Sequence, residues 1–276
     1  MATSFESLRA AFHQVELYGG PAPGPDGITV DSLSHKEWWK ILRSISKELK
    51  RGAWRPGPLR AVEILKATGT RVLRIENASD RIVARALLNV AGRLTDPNLS
   101  RNSFGYRPGL SPWHALAAAK AQAEAERKLL WRKRDIAGAY DVLPRNFLAE
   151  LVRNSLINED LASLVNLFVE RPGTQWEKRG VGVPQGSSLS PWLLNLFMDS
   201  ALDKPYEEER LPCAMKRFAD DHLLIANRPE ELEDAAAFMD EALGAHNVAF
   251  KEEKEESGDL ALGEGVSYLG LDAYFE

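Results

Sequence analysis

Apolar residues recur at helical spacing in the opening third of the chain. Phe5, Leu8, Phe12 and Val15 predict an amphipathic helix over 3–18, and Trp38, Trp39, Ile41, Leu42, Ile45 and Leu49 predict a second. A Pro/Gly loop closing on Gly24-Pro25-Asp26-Gly27 separates them, and Arg55-Pro56-Gly57-Pro58 ends the second. The period then drops to two. Arg60 to Lys66 alternates as a strand, Ala67-Thr68-Gly69-Thr70 is a hairpin turn, and Arg71 to Ile75 is the return strand. Ser79-Asp80 is placed to cap a helix over 81–94, and an alanine-rich helix runs from Pro112 to about Lys128. Leu129 to Ile136 reads as a strand, 147–168 as one helix, 181–188 as a loop of small residues and 193–202 as an apolar helix. Two short strands, 215–218 and 223–226, meet at an acidic pair. A helix over 230–243 and a last strand over 266–271 complete the pattern, and the acidic stretch Glu252 to Glu256 is too short to form a tail. Short strands separated by packed helices predict an α+β fold rather than a parallel βαβ repeat.

The chemistry concentrates where strands end. Asp135 closes one strand, and Asp220-Asp221 sits at a hairpin tip about eighty residues later. Carboxylates converging from different elements are what a two-metal phosphoryl-transfer site needs, with ions ~3.5–4 Å apart and hard oxygen donors for Mg²⁺. Asp-Asp alone is also an ordinary turn pair; the conjunction with Asp135 and the loop at Gln185 favours the metal site. The net charge of -5 at first argues against a nucleic-acid partner. Its distribution changes that picture: residues 1–135 hold 23 basic against 13 acidic side chains, and the remainder 12 against 27. A basic half and an acidic half suit a protein that grips phosphates with one part and holds metal with the other. The lone Cys213 permits no internal disulfide, the five histidines have no zinc spacing, and no apolar run approaches the ~20 residues of a spanning helix. With no basic n-region and apolar stretch at the start, a cytoplasmic protein without membrane association is expected.

Several motifs, in order, resemble the reverse transcriptase family, in particular its bacterial branch related to group II intron enzymes. They are Gly24-Pro25-Asp26-Gly27, Lys66 to Arg71 with Asp80-Arg81-Ile82-Val83, Ser103-Phe104-Gly105-Tyr106-Arg107-Pro108-Gly109, and Asp135 to Asp141. Pro184-Gln185-Gly186 with Leu189-Ser190-Pro191 and Asn195, Phe218-Ala219-Asp220-Asp221, and Tyr268-Leu269-Gly270 follow. The resemblance implies a right-hand polymerase fold: fingers over 1–128 and palm over 129–276, a small antiparallel sheet backed by helices, and no thumb in the chain.

It also implies roles. Asp135, Asp220 and Asp221, with the Ile136 carbonyl, would hold two Mg²⁺ ions, Mn²⁺ being able to substitute. Lys66 and Arg71 would hold a dNTP triphosphate, Tyr140 would pack under the sugar, and Gln185 and Gly186 would floor the templating pair. Lys254 would protonate departing pyrophosphate. Arg107, Arg132, Arg134 and Gly270 would contact an RNA template or a DNA or RNA primer, although alternation along a strand lets only part of the Arg132-Lys133-Arg134 cluster do so. His222 reads as a packing residue, and Trp38-Trp39 as core or a partner surface rather than a stacking platform.

Departures are visible. Val72-Leu73-Arg74-Ile75-Glu76 replaces the usual Pro-Leu-Gly-Ile-Pro, Ala139 replaces an aromatic, and Lys251 stands where the family carries an asparagine. A protein partner or fused domain is expected to replace the thumb. The expected activity is RNA-directed DNA polymerisation in a prokaryotic CRISPR or antiphage defence setting. A template-independent or protein-primed DNA synthase, and a catalytically retired fold acting as an RNA-binding or assembly module, stand as the alternatives.

Overall fold

The computed structural model describes residues 2–66, 69–171 and 180–273. The chain divides into two compact units, each discontinuous in sequence: Met1–Pro97 with Leu143–Leu193, and Asn98–Val142 with Leu194–Glu276.

In the first unit, helix α1 (Phe5–Tyr18) is capped by Ser4, whose Oγ accepts from the Ser7 amide at 3.1 Å. Helix α2 (His35–Lys50) opens with a capping box in which Ser34 and Glu37 satisfy each other's backbone amides. Their apolar faces meet through Phe12 and Trp38, both buried, with ring centroids 5.7 Å apart. Strands β1 (Arg60–Lys66) and β2 (Gly69–Ile75) form the predicted antiparallel hairpin, in register from Arg60↔Ile75 to Lys66↔Gly69; the expected turn residues Ala67 and Thr68 lie outside the described residues.

Helix α3 (Ala78–Thr95) starts three residues earlier than its periodicity suggests. Its N-cap is Asn77, so the expected capping by Ser79-Asp80 is corrected: Asp80 lies inside the helix and accepts from the Gly57 amide at 2.8 Å. The single helix expected over 147–168 is also corrected. It is two helices, α6 (Arg145–Ser155) and α7 (Glu159–Val169). The break at Leu156-Ile157-Asn158 arises because the Asn158 side chain accepts from the Leu161 amide at 2.8 Å and starts a new helix there. The 11 residues of each are too few to show the break as a loss of period.

The second unit is built on a four-stranded antiparallel sheet of order β4-β5-β3-β6. Its strands are β3 (Leu130–Asp135), β4 (Ala214–Phe218), β5 (Asp221–Ala226) and β6 (Glu256–Asp259). The edge strand β6 carries no strand signature in sequence, because its residues, Glu-Ser-Gly-Asp, have low strand propensity. Pairing along β3 orders it nonetheless, and Gly258 admits the Trp131 ring, which a Cβ there would meet at 2.9 Å.

Helix α4 (Pro112–Glu126) covers one face of the sheet, sharing a buried core with Trp131, Leu223, Ile225 and Tyr268. After helices α8 (Ser190–Met198) and α9 (Lys204–Glu209), helix α10 (Pro229–Gly244) lies against β3 and β5. With helices on both faces, β4 and β5 are buried nearly throughout. Each fully buried leucine here contributes roughly 1.5–3 kcal/mol relative to exposure. The one strand expected over 266–271 is a tight hairpin, β7 (Val266–Tyr268) and β8 (Leu271–Ala273), turning on Leu269 and Gly270 at φ 58° and 74°. A boundary at 128/129 falls inside this unit, on the step from α4 to β3.

No helix among the described residues is long and apolar enough to cross a membrane.

Candidate active site

The three carboxylates lie in the second unit at one end of β3 and β5. Asp135 and Asp221 are cross-strand partners in the antiparallel register. The backbone beyond Asp135 is held from both sides: the Ile136 amide donates to Asp220 O at 3.3 Å, Ala137 to Ala249 O at 2.9 Å, and Lys251 donates back to Asp135 O at 2.8 Å. Asp220 occupies the turn between β4 and β5, preceded by Ala219 in the left-handed region at φ 60°.

Their electrostatics follow from this crowding. Burial, and then the Asp135 charge, push the Asp220 carboxyl up. Burial, then Asp220 and Asp135, push Asp221 to about 6, against the pull of Lys133 and Lys254. Like charges gathered in a half-buried place favour protons or cations. Two ammonium groups answer that demand: Lys251 Nζ and Lys254 Nζ lie 2.9 and 3.1 Å from Asp135 Oδ2. The Asp135 contact and charge raise the Lys254 pKa, so this half-exposed ammonium keeps its proton. Among the described residues, no three carboxylate, histidine or cysteine groups already stand as a metal cage. The donor chemistry nonetheless fits a hard divalent cation: three carboxylates and the fixed Ile136 backbone, with lysines in the place of positive charge.

What holds the turn is a network that the linear pattern did not reveal. Arg217, fully buried, donates to Asp203 (Nη2 to Oδ2 at 2.5 Å), to Asn195 Oδ1 at 3.0 Å, to Ser103 Oγ at 2.7 Å and to the Ala219 carbonyl at 2.8 Å. Asn195 in turn donates to Gly105 O at 2.8 Å. Gly105 packs so closely on the turn that a Cβ there would lie 2.3 Å from the Ala219 nitrogen. Buried Tyr268 donates from its hydroxyl to Asp221 O at 3.0 Å. His222 is a packing residue: it is fully buried, its Nδ1–H donates to Asp220 O at 3.1 Å, and burial pushes its pKa well down, keeping it neutral. A charged pair in an apolar strand, Lys216-Arg217, was the available signal for this hub; only its partner Asp203, fourteen residues away, makes it readable.

The remaining predicted residues divide clearly. Tyr140 stands half-buried on α5 (Ala139–Val142), the single turn that follows Asp135. Arg134 is corrected as a nucleic-acid contact: it is buried, paired with Asp240 and Glu255 at 3.0 Å, bonded to Ala236 O and stacked over Phe250. Arg132, two residues back on the same face, pairs with Glu233 and Glu255, and its side chain is 15% exposed. Arg107 Nη1 closes its own loop onto Ser100 O and Ser103 O at 2.7 and 2.8 Å. Gly270 is the second turn residue between β7 and β8.

In the first unit, Lys66 ends β1 opposite Gly69. Arg71, Gln185 and Gly186 come together: Arg71 Nε donates to Gln185 Oε1, the Arg74 amide donates to Gln185 O at 3.0 Å, and Gly186 adopts φ 122°, where a Cβ would press on Arg74 O at 3.2 Å. Beneath them, buried Arg171 bridges Glu76 at 3.1 Å and Asp80 at 2.8 Å. Burial raises Glu76 to about 7 despite the Arg171 charge.

Carboxylates on adjoining strand ends, presented by an antiparallel sheet with helices behind it, define a polymerase-type palm. The sequence profile of the reverse transcriptase (RNA-dependent DNA polymerase) family matches residues 64–272, and the chain belongs to that family. Relatives include the group II intron-encoded protein LtrA of Lactococcus lactis subsp. cremoris, 28% identical over 196 residues, 68% of this chain and 32% of that protein. Protein YkfC of Escherichia coli K12 is 28% identical over 188 residues, 66% of this chain and 49% of that one. The chain thus spans 32% and 49% of the length of these relatives. Among solved structures, apo telomerase from Candida tropicalis truncated from its C-terminal domain superposes with a TM-score of 0.58 at 16% identity, over 86% of this chain and 59% of that one. Candida albicans telomerase in complex with a telomeric RNA fragment gives 0.60 at 12% identity, over 87% and 50%. At such identities the likeness is one of fold: fingers and palm of the right-hand polymerase type.

Proposed function

We propose that the chain is an RNA-directed DNA polymerase that extends a DNA or RNA primer with dNTPs on an RNA template. The observation that carries this is the meeting of Asp135, Asp220 and Asp221 at paired strand ends, with the charged forms of Asp220 and Asp221 disfavoured by burial and by the neighbouring carboxylates. These carboxylates and the Ile136 carbonyl would hold two Mg²⁺ or Mn²⁺ ions, which when bound activate the primer hydroxyl and neutralise the charge on the leaving oxygen. The chain's own residues do the positioning. Arg217, Asn195 and Tyr268 fix the turn so that Asp220 and Asp221 need not reorganise during the reaction. Lys66 and Arg71 engage the triphosphate, Gln185 and Gly186 support the templating pair, and Tyr140 selects against a 2′-hydroxyl. Lys254, charged and half-exposed, delivers a proton to pyrophosphate as it leaves.

A thumb-like activity from a partner or fused domain, and a place in a prokaryotic CRISPR or antiphage defence system, complete the proposal; the neighbouring genes test the latter. The polymerase reading itself is tested by primer extension on RNA and DNA templates with Mg²⁺. Wild type extends on RNA, and Asp220→Ala, folded by circular dichroism, does not. Incorporation by folded Asp220→Ala at the wild-type rate refutes the assignment. A product whose sequence is independent of the added RNA moves it to template-independent synthesis.

A further inference from the structure

Tyr106 is exposed, at 60% of its surface, yet its backbone is held in the left-handed region at φ 57°. A bulky side chain in that conformation is strained, and such strain persists only where the surroundings over-determine it. The surroundings here do so. On its N-terminal side Phe104 donates its amide to Arg217 O at 2.8 Å, and Gly105 is pressed against Ala219. On its C-terminal side Arg107 ties back to Ser100 O and Ser103 O. The loop is therefore fastened to the turn that carries Asp220, while it exposes an aromatic ring at Tyr106. That ring lies 6.4 Å from the Phe218 ring, tilted by 40°, and Phe218 is half-buried, two residues before Asp220. An exposed aromatic ring, backed by a second ring that packs on the core and anchored to the turn that carries Asp220, has the form of a stacking platform, and bases of any sequence present a face to it.

We propose that Tyr106, backed by Phe218, stacks on a nucleobase of the primer strand close to the end that reaches Asp220, and so sets the approach of that strand to the carboxylates. The assignment rests on the polymerase reading for the identity of the strand. A base is the occupant of choice because the neighbouring acidic cluster repels phosphates but not the uncharged face of a base. The hydroxyl of Tyr106 has no part in stacking, so Tyr106→Phe and Tyr106→Trp retain the function, whereas Tyr106→Ala loses it. Tyr106→Gly loses it too, while relieving the left-handed backbone.

The test measures binding without catalysis. A fluorescein-labelled primer annealed to an RNA template is titrated with protein in metal-free buffer, and anisotropy is read. A second primer carries 2-aminopurine at its 3′ end, whose fluorescence reports stacking. Tyr106→Ala and Tyr106→Gly should bind about tenfold more weakly and lose the 2-aminopurine quench, with melting curves close to wild type. Tyr106→Phe should bind as wild type does. If the glycine variant, folded, binds and quenches like wild type, the platform is refuted while primer extension by the wild type still stands. If wild type binds and quenches but never extends, the polymerase reading fails and the platform stands. Absence of any binding by wild type overturns the platform.

Discussion

Removing Arg217 should be among the most damaging single changes in the second unit. Its side chain is fully buried, and it neutralises Asp203, whose side chain is 1% exposed. Arg217→Met keeps much of the volume but leaves that carboxylate without a counter-charge. Breaking a buried pair in this way costs about 3–5 kcal/mol, a large share of the roughly 5–15 kcal/mol that stabilises a domain. The Ala219 carbonyl, Asn195 Oδ1 and Ser103 Oγ lose a donor at the same time. Most of this loss reflects the stranded charge, so the double variant Arg217→Met/Asp203→Leu should recover most of the stability. It should not recover activity, because the Ala219 carbonyl still has no donor from below and Asp220 is less well placed. Urea denaturation followed by circular dichroism gives the single, single and double free energies, and primer extension gives kcat. If Arg217→Met loses less than about 1 kcal/mol, or if the two changes add with no coupling, the hub has been misread.

Three other expectations concern separate parts of the molecule. Gly105→Ala places a Cβ against the Ala219 nitrogen; overpacking should cost about 1–3 kcal/mol and depress extension more than stability, and wild-type activity in this variant would show that the loop is free to move. Glu76 is raised to about 7 in the folded chain from an ordinary 4.5. The folded state therefore binds more protons than the unfolded one between those values, and stability from this group, complete below about 4.5, is lost as pH rises through about 7. The stability of wild type relative to Glu76→Gln should fall across that window and level off above it; a difference that does not vary with pH refutes this. Lys251→Met removes an ammonium 2.9 Å from Asp135. The metal-free variant should melt about 2–4 °C lower and gain more in melting temperature from Mn²⁺ than wild type does; equal gains would mean that Lys251 does not stand in for a metal charge.

Much of this fold could be read from periodicity and turn chemistry. The hairpin of Arg60–Lys66 with Gly69–Ile75 alternates cleanly, and α1, α2 and α10 each carry an apolar stripe. The errors occur where a single polar side chain redirects the backbone. Asn158 splits a continuous apolar pattern, Asp80 turns inward to Gly57 and Arg171, and β6 exists only because β3 has an open edge. The acidic residues of the candidate site are visible in the sequence because they cluster at strand ends. Their supports are not, since Arg217 meets Asp203, Asn195 and Ser103 only after folding. The same limit explains the basic run at Arg132-Lys133-Arg134: a line of letters shows three cations, whereas the folded strand turns Arg132 and Arg134 toward α10 and gives both to carboxylates there.

The division of the chain has a further consequence. The polypeptide passes from one compact unit to the other at 97/98, returns at 142/143 and crosses again at 193/194. Neither unit is a contiguous gene fragment. A cut at 128/129 would strand α4 without the sheet it covers, and a graft of either unit into a relative must carry two segments together. Interaction between sequence-distant pieces must precede a finished core, which favours slow, concerted maturation over sequential assembly from the ribosome. Recombination among related genes would therefore split a core at any single crossover point, and only an exchange that switches parent at all three crossings together leaves both cores whole.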